Sequence, residues 1–481
     1  MMNYDQLCRK ICEIEDKYDL FHLTYNHVAY WKYARYYVYR VLLHKFFGIH
    51  TPWLENKSEN DFIMQPHFTQ KFTDPVFLNE DSPISRDILM FTFNRRSRQG
   101  EVYVSSVTDE ISLNLELSNC IVEVPYNGGY YQPVPIKNIK YFDPWEGIGL
   151  DNGQKSYTPI SRGTLRRQLL QIFEKELEIS FTPEEKGILT TNINYFILYR
   201  QDLMANYHKV IQKANPKLVI LTTSYIGEWI VLIELLKELK IPSIEILHGY
   251  VDDNYLPYNY KKQGMNDAQP DYIFVYSHLQ KDQVNWGIPK DHIRVVGYPE
   301  GEKRSRELLA HPLKRSKKRI TFISNMAQVM EKYLNALAEN INLSEYEVLF
   351  KLHPNEYTCW KEIYKNLSQH VQVIDHNEND IHYYLANSDI VVGINSTALF
   401  EATFYPVDIY ILQEDSYQNM NLLLKSGAAT LVSDSPGLLS SIYENSAGKS
   451  SNNDIIFRKN SINNVNSEIE RILGEVSFPS I

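Results

Sequence analysis

Tyr346-Glu-Val-Leu-Phe-Lys-Leu-His353-Pro354, followed by Asp389-Ile-Val-Val-Gly-Ile-Asn395-Ser396-Thr397-Ala-Leu-Phe-Glu401-Ala, carries the strongest structural signal in the chain. Each run has the composition of a buried strand that stops at small or polar residues, and the second passes straight into a helical pattern. In an open parallel sheet, ligands sit in the crevice beyond the carboxyl ends of the strands. His353, Ser396 and Thr397 therefore belong on one edge of one sheet. Ser396 and Thr397 also fall where a helix begins, so free backbone N–H groups and two hydroxyls are expected to converge on a phosphate. Glu401, four residues after Thr397, shares its helical face and offers a carboxylate to the hydroxyls of a ribose.

Outward from this stretch the pattern is one of alternating strands and helices. On the N-terminal side, Ile88-Leu-Met-Phe-Thr-Phe93, Cys120-Ile-Val-Glu-Val-Pro125, Lys217-Leu-Val-Ile-Leu-Thr222, residues 241–247 and Tyr272-Ile-Phe-Val-Tyr276 are predicted strands, with helices over 163–178, 183–214 and 226–239. A second alternation starts at Ile320-Thr-Phe-Ile-Ser324 and runs to Thr430-Leu-Val-Ser433. Crossovers of this length imply parallel sheets. The expected division is a helical N-terminal extension and linker (1–85), a first Rossmann-like domain (86–300), a second (301–455) and a tail with a last helix (456–481). The charged segment between 299 and 318 is the expected switch from one sheet to the other. Residues 126–162, rich in Gly, Pro and Tyr, read as an extended excursion.

The chain of 481 residues is too long for one core, and its 43% hydrophobic and 22% charged residues are those of a folded protein. A net charge of −10 argues against a non-specific nucleic-acid binder. The four cysteines, Cys8, Cys12, Cys120 and Cys359, contain no CxxC pair and suit reduced thiols rather than a metal site. No run reaches the roughly 18 apolar residues that a membrane span needs, and Met1-Met-Asn-Tyr-Asp-Gln lacks a signal pattern, so a cytoplasmic location is expected. Residues 25–47 mix Trp31, Tyr33, Tyr36 and Tyr37 with Lys32, Arg35 and Arg40. Such a helix suits either the inner face of a membrane or the protein's own first domain, and the lack of a clean polar face favours packing. The 35 tyrosines, dense between Tyr250 and Tyr260, offer rings for stacking on sugars or for ordinary half-burial.

The His-Pro and Ser-Thr signatures, together with Ile244-Glu-Ile-Leu-His248-Gly249-Tyr250 and Arg294-Val-Val-Gly297-Tyr-Pro299, resemble the motifs of bacterial surface-polysaccharide glycosyltransferases of the two-Rossmann-domain GT-B architecture that use CMP-activated sugars. They are also similar to those of polymerases that use CDP-glycerol or CDP-ribitol. The resemblance spans roughly residues 86–435, and its weight lies in the order and spacing of motifs that are individually short. It implies an α/β protein with two Rossmann-like domains facing a cleft. It further implies transfer from a nucleotide-sugar donor to an oligosaccharide or lipid-linked acceptor in capsule or O-antigen assembly. A CDP-alditol phosphotransferase and a non-catalytic GT-B scaffold are the alternatives.

No GxGxxG, Walker A or strand-flanked Asp-x-Asp is present, which turns the expectation away from hydride transfer, P-loop chemistry and a metal-held diphosphate. The expected site needs no cofactor and no metal. His353, Pro354, Ser396, Thr397, Glu401 and Ser324 would hold the donor nucleotide, and protein hydrogen-bond donors would neutralise the leaving phosphate. The acceptor hydroxyl needs a base from the first domain. His248, at the end of a buried strand and followed by Gly249, is the first choice, and Asp252 and Asp253 are the second. The basic loop Asn94-Arg95-Arg96-Ser97-Arg98-Gln99-Gly100 offers charge to an anionic acceptor or to the donor phosphate, or is simply solvated.

Overall fold

The structure is a computed structural model that describes residues 2–48, 86–125, 130–148, 158–376, 378–444 and 453–475. Most of the linker expected up to residue 85 lies outside the described residues. Two fully parallel sheets organise the chain. The first is built from β1 (Ile88–Phe93), β2 (Asn119–Val124), β3 (Ile139–Tyr141), β4 (Leu218–Leu221), β5 (Ser243–Ile246), β6 (Tyr272–Val275) and β7 (Ile293–Val295), in the spatial order 7-6-5-4-1-2-3. The second contains β8 (Lys318–Ile323), β9 (Tyr346–Lys351), β10 (Val371–Ile374), β11 (Ile390–Gly393), β12 (Asp408–Leu412) and β13 (Thr430–Val432), in the order 10-9-8-11-12-13. In each sheet the strand order reverses once, between β1 and β4 and between β8 and β11. These are the topological switch points at which an open α/β sheet leaves a crevice.

The sheets are clothed on both faces because their strands are apolar on both faces. Leu89 and Phe91 join the core beneath the helices Pro183–Ala214 and Gly227–Leu239, whereas Ile88 and Met90 face the opposite side. The 32-residue helix Pro183–Ala214 is started by a capping box, in which the Thr182 hydroxyl accepts from the Glu185 N–H and the Glu185 carboxylate accepts from that of Thr182. On the opposite face lies the last helix, Ser461–Glu475, through Val465, Ile469 and Ile472. This helix follows the second sheet in sequence yet packs on the first. Its start is held by Glu302, whose carboxylate accepts from the Ser461 N–H at 2.8 Å and its hydroxyl at 2.5 Å.

The return path explains the Val-Gly-x-Pro run. Gly297 has φ +91°, and a Cβ there would stand 2.0 Å from the Arg458 carbonyl oxygen. Only glycine combines that backbone with that approach. The segment expected to be a charged connector, 299–318, instead opens with a helix, Pro299–Ala310, whose first-position proline lacks the N–H that a helix start cannot use.

Three expectations are corrected. The excursion 126–162 contributes a parallel edge strand, β3, paired with β2 through Ile121–Ile139, Val122–Lys140 and Glu123–Tyr141. The basic loop is half hairpin, with Ser97–Gln99 pairing antiparallel with Val102–Val104. Near the N-terminus the second helix is Trp31–Phe47 rather than 25–47, because a two-residue ribbon (Thr24–Tyr25 with Val28–Ala29) precedes it.

The Trp31–Phe47 helix packs on the protein itself. Trp31, Tyr33, Ala34 and Val38 are buried in the first domain's core. Arg35, also buried, donates to both oxygens of Glu15 at 2.5 and 3.0 Å and to the carbonyls of Leu256 and Asn259 at 2.8 and 2.6 Å. Among the described residues no helix is long and apolar enough to cross a membrane.

Candidate functional site

At the carboxyl edge of the first sheet, β5 ends in Ile246 and leads through Leu247 into His248-Gly249-Tyr250. His248 Nδ1 lies 3.0 Å from the Thr222 carbonyl oxygen, at the end of β4. A carbonyl only accepts, so Nδ1 carries the proton and Nε2 is left as a lone pair. The residue is exposed at this sheet edge. Burial by the surrounding walls, reinforced by the Arg95 guanidinium and opposed by the Thr222 carbonyl, brings the pKa down to about 4. At neutral pH the imidazole is therefore uncharged, with a free acceptor nitrogen.

Across the cleft His353 has the opposite arrangement. It follows β9, and its Nδ1 accepts from the Asn355 N–H at 3.2 Å, which leaves the proton on Nε2. Its own backbone N–H donates to Glu356 at 2.8 Å, and Pro354 begins the short 3₁₀ turn that fixes the ring's exit from the strand. Burial lowers the His353 pKa, and Lys351 and Arg95 add to that against the nearby Glu356 carboxylate. The two histidines thus present complementary groups. His248 offers a proton acceptor and His353 a proton donor, each fixed by the partner of its other nitrogen.

Ser396 and Thr397 stand at the end of β11. Ser396 caps the following helix, its hydroxyl accepting from the Ala398 N–H at 3.3 Å, and Thr397 is exposed. That helix, Thr397–Glu401, is five residues long, shorter than the sequence pattern suggests, and continues as a 3₁₀ turn through Phe404. What it offers an anion is first-turn N–H groups and hydroxyls rather than the dipole of a long helix. A Cβ at Gly249 would lie 3.8 Å from Thr397 Cγ2, so the His-Gly strand end and the Ser-Thr strand end face each other directly. Beside them Tyr250 stacks on Phe400, ring centroids 4.0 Å apart and planes 4° from parallel. The same apolar cluster joins Leu247, Val251 and Tyr276 to Leu399, Phe404 and Phe457, so the two sheets are fastened at the root of the cleft.

Other expected residues are placed differently. Ser324 is buried, and its hydroxyl is occupied by the Tyr364 hydroxyl at 3.2 Å and the Met326 N–H at 3.1 Å. It supports the strand end and does not present a free donor. Glu401 is largely buried beside His382, 3.9 Å away, and burial together with Asp380 raises its pKa to about 8. It is therefore a neutral acid at pH 7, able to donate as well as accept. Asp252 is half-buried, accepts from the Asn254 N–H at 3.0 Å, and is raised by burial to about 6. Asp253 is also half-buried. Most rings of the 250–260 run are spent on packing. Tyr258 and Tyr260 are buried, and the Tyr255 hydroxyl lies 2.9 Å from that of Tyr225.

The three arginines of the basic loop have separate fates. Arg96 is buried between Glu123 and Asp109, and Arg98 is exposed with its Nε on the Gly100 carbonyl at 2.9 Å. Arg95, exposed at the end of β1, is the one whose charge reaches both histidines. At the second switch point, Asn325 after β8 donates to Asn395 after β11 at 3.1 Å, tying the two strand ends together. Met326 beside it has φ 65°, a left-handed backbone that a side chain of its size rarely adopts. The motif reading singled out neither Asn325 nor Met326. The available signal was a polar residue directly after an apolar strand. Among the described residues no three His, Cys, Asp or Glu side chains are grouped to hold a metal ion.

No family model matches this chain, and no curated protein sequence matches it. Solved structures do. UDP-GlcNAc 2-epimerase from Neisseria meningitidis bound to UDP-GlcNAc superposes with a TM-score of 0.51 at 12% identity, over 80% of this chain and 100% of that one. The Methanocaldococcus jannaschii UDP-GlcNAc 2-epimerase gives 0.47 at 14%, over 81% and 99%. The wall teichoic acid polymerase TagF, soaked with CDPG, gives 0.44 at 10%, over 94% and 99%. At 12% identity the likeness to the Neisseria enzyme is one of fold, two Rossmann-like domains facing a cleft.

Proposed function

We propose that this chain is a transferase of surface-polysaccharide assembly that moves a sugar from a cytidine nucleotide donor, a CMP-linked sugar, to a saccharide hydroxyl. The observation that carries the reading is the opposed protonation of His248 and His353 at two strand ends, with the Arg95 charge lowering the pKa of both. The choice of cytidine rests on the motif resemblance. The acceptor oxygen attacks the anomeric carbon while its proton passes to His248 Nε2. The bond from that carbon to the phosphate oxygen breaks, and CMP leaves with the electron pair. The charge developing on its phosphate is met by His353 Nε2–H, the Ser396 and Thr397 hydroxyls and the adjacent N–H groups. Glu401, as a neutral acid, is assigned to the ribose hydroxyls.

This donor set supplies hydrogen bonds to an anion rather than carboxylates to a cation, and a monophosphate leaving group carries less charge than a diphosphate. Activity is accordingly expected to persist in excess EDTA. Complete loss that Mg²⁺ or Mn²⁺ restores would contradict the assignment. The assay that tests the function is product analysis with a CMP-sugar and with CDP-glycerol. CMP release with a new glycosidic bond is the expected result. A phosphodiester would transfer the same residues to alditol phosphate chemistry, and no turnover with either donor would leave a binding protein.

A further inference from the structure

Outside the cleft, two crossovers of the first domain build a second basic feature. The β5–β6 connection carries Lys261 and Lys262, and the β6–β7 connection carries Lys281 and Lys290. They are held side by side by backbone hydrogen bonds, Tyr260 N–H to the Asn285 carbonyl and Gly264 N–H to that of Gly287, both 2.8 Å. A cavity of about 320 Å³ opens between them, lined by all four lysines, Asp282 and Trp286. That volume is at the lower end of the range of small-ligand pockets, roughly 300–1,000 Å³.

The charges in this cavity do not cancel. Lys290 pairs with Asp282 at 2.6 Å, and Lys262 reaches outward to Asp16 at 2.6 Å. Lys281 has only a backbone carbonyl, that of Ile293 at 2.7 Å. Lys261 is exposed and has no acidic partner among the described residues. Burial, then the neighbouring Arg294 and Lys290 charges, push the Lys281 pKa down against the opposing pull of Asp282 and Asp291. On a chain of net charge −10 this is a local reversal of sign. A lining that holds Lys261, Lys262, Lys281 and Lys290 with no arginine fork suits the rounded, multiply charged oxygen surface of phosphate better than a planar carboxylate.

The geometry points to a binding site for a phosphate group between these two crossovers, large enough for the phosphate and a small polar substituent. The site does not depend on the reading of the cleft. Its ligand is either a soluble phosphorylated compound or the headgroup of an anionic lipid.

The test uses the full chain at low salt, because screening weakens such contacts. Inorganic pyrophosphate is titrated calorimetrically into the wild type, Lys261→Glu/Lys290→Glu, Ser396→Ala/Thr397→Ala and the remote control Lys365→Glu. A saturable binding component weakened at least tenfold in the lysine pair alone is expected. The neutral pair Lys261→Gln/Lys290→Gln should show a smaller loss in the same direction, which guards against misfolding of the reversed-charge variant. Survival of the component in both lysine variants, its loss in the Ser396/Thr397 variant alone, or its absence from the wild type would overturn the site. Co-sedimentation then separates the sources. Binding to phosphatidylglycerol vesicles but not to phosphatidylcholine vesicles, lost in the lysine pair, assigns a lipid headgroup. Pyrophosphate binding without vesicle binding assigns a soluble phosphorylated ligand.

Discussion

Replacing His248 by Ala lowers turnover by about a hundredfold or more and leaves nucleotide affinity nearly unchanged, the range expected when a general base is removed. The imidazole touches the acceptor side and acts only as the proton leaves, so its loss falls on the transition state rather than on the bound nucleotide. The pH dependence gives a second readout. The working form is the unprotonated ring, which forms as pH rises through its pKa of about 4, well below an ordinary histidine near 6.5. The rate should therefore hold its plateau down through pH 6 and fall only as pH approaches 4. Near-full turnover in His248→Ala, with loss in Asp252→Ala or Asp253→Ala, would move the role to the aspartates. Asp252, raised to about 6, would then place the acid limb two units higher.

A large effect on stability is expected at Arg96. Its guanidinium donates to Glu123 at 2.6 Å, to both oxygens of Asp109 at 2.7 and 3.1 Å and to the Tyr103 carbonyl at 3.0 Å, and all three ionic side chains are at most 1% exposed. Removing one partner of a buried charge cluster leaves the others uncompensated and costs about 3–5 kcal/mol. Arg96→Ala therefore leaves two buried carboxylates without their cation. Arg98→Ala, two positions on and exposed, should stay within about 0.5 kcal/mol of wild type. Denaturant unfolding of the two variants side by side is the check. Equal small shifts would mean that the cluster does not hold the β1 strand end in place.

These two arginines also mark where the sequence stops being informative. A run of charges reads the same whether a residue faces water or is buried, and the partners of Arg96 lie 13 and 27 positions away. The strands β9 and β11 were legible because unbroken apolar runs ending in polar residues have few other interpretations. The helix Pro183–Ala214 was legible because its helical pattern is sustained over its whole length. Strand β3 was not, since Pro, Gly and Tyr around a half-buried edge strand give no period. The last helix showed an amphipathic face, but nothing in its pattern says that the face belongs on the first sheet.

At the site, the sequence could place His248 and His353 at strand ends but not assign their protons. Those follow from Thr222, 26 residues before His248, and from the turn after Pro354. Ser324 illustrates the converse. Its position after a strand is right for a ligand, and its hydroxyl is already taken by Tyr364, 40 residues on.

Calorimetric titration of CMP, UDP and GDP, in excess EDTA, against the wild type and Ser396→Ala/Thr397→Ala examines the donor site itself. CMP is expected to bind the wild type most tightly, and the double variant to lose roughly 1–3 kcal/mol of that affinity, the worth of hydrogen bonds to a charged group. Unchanged CMP affinity in the double variant, or tighter binding of UDP than of CMP by the wild type, would contradict the donor-site assignment.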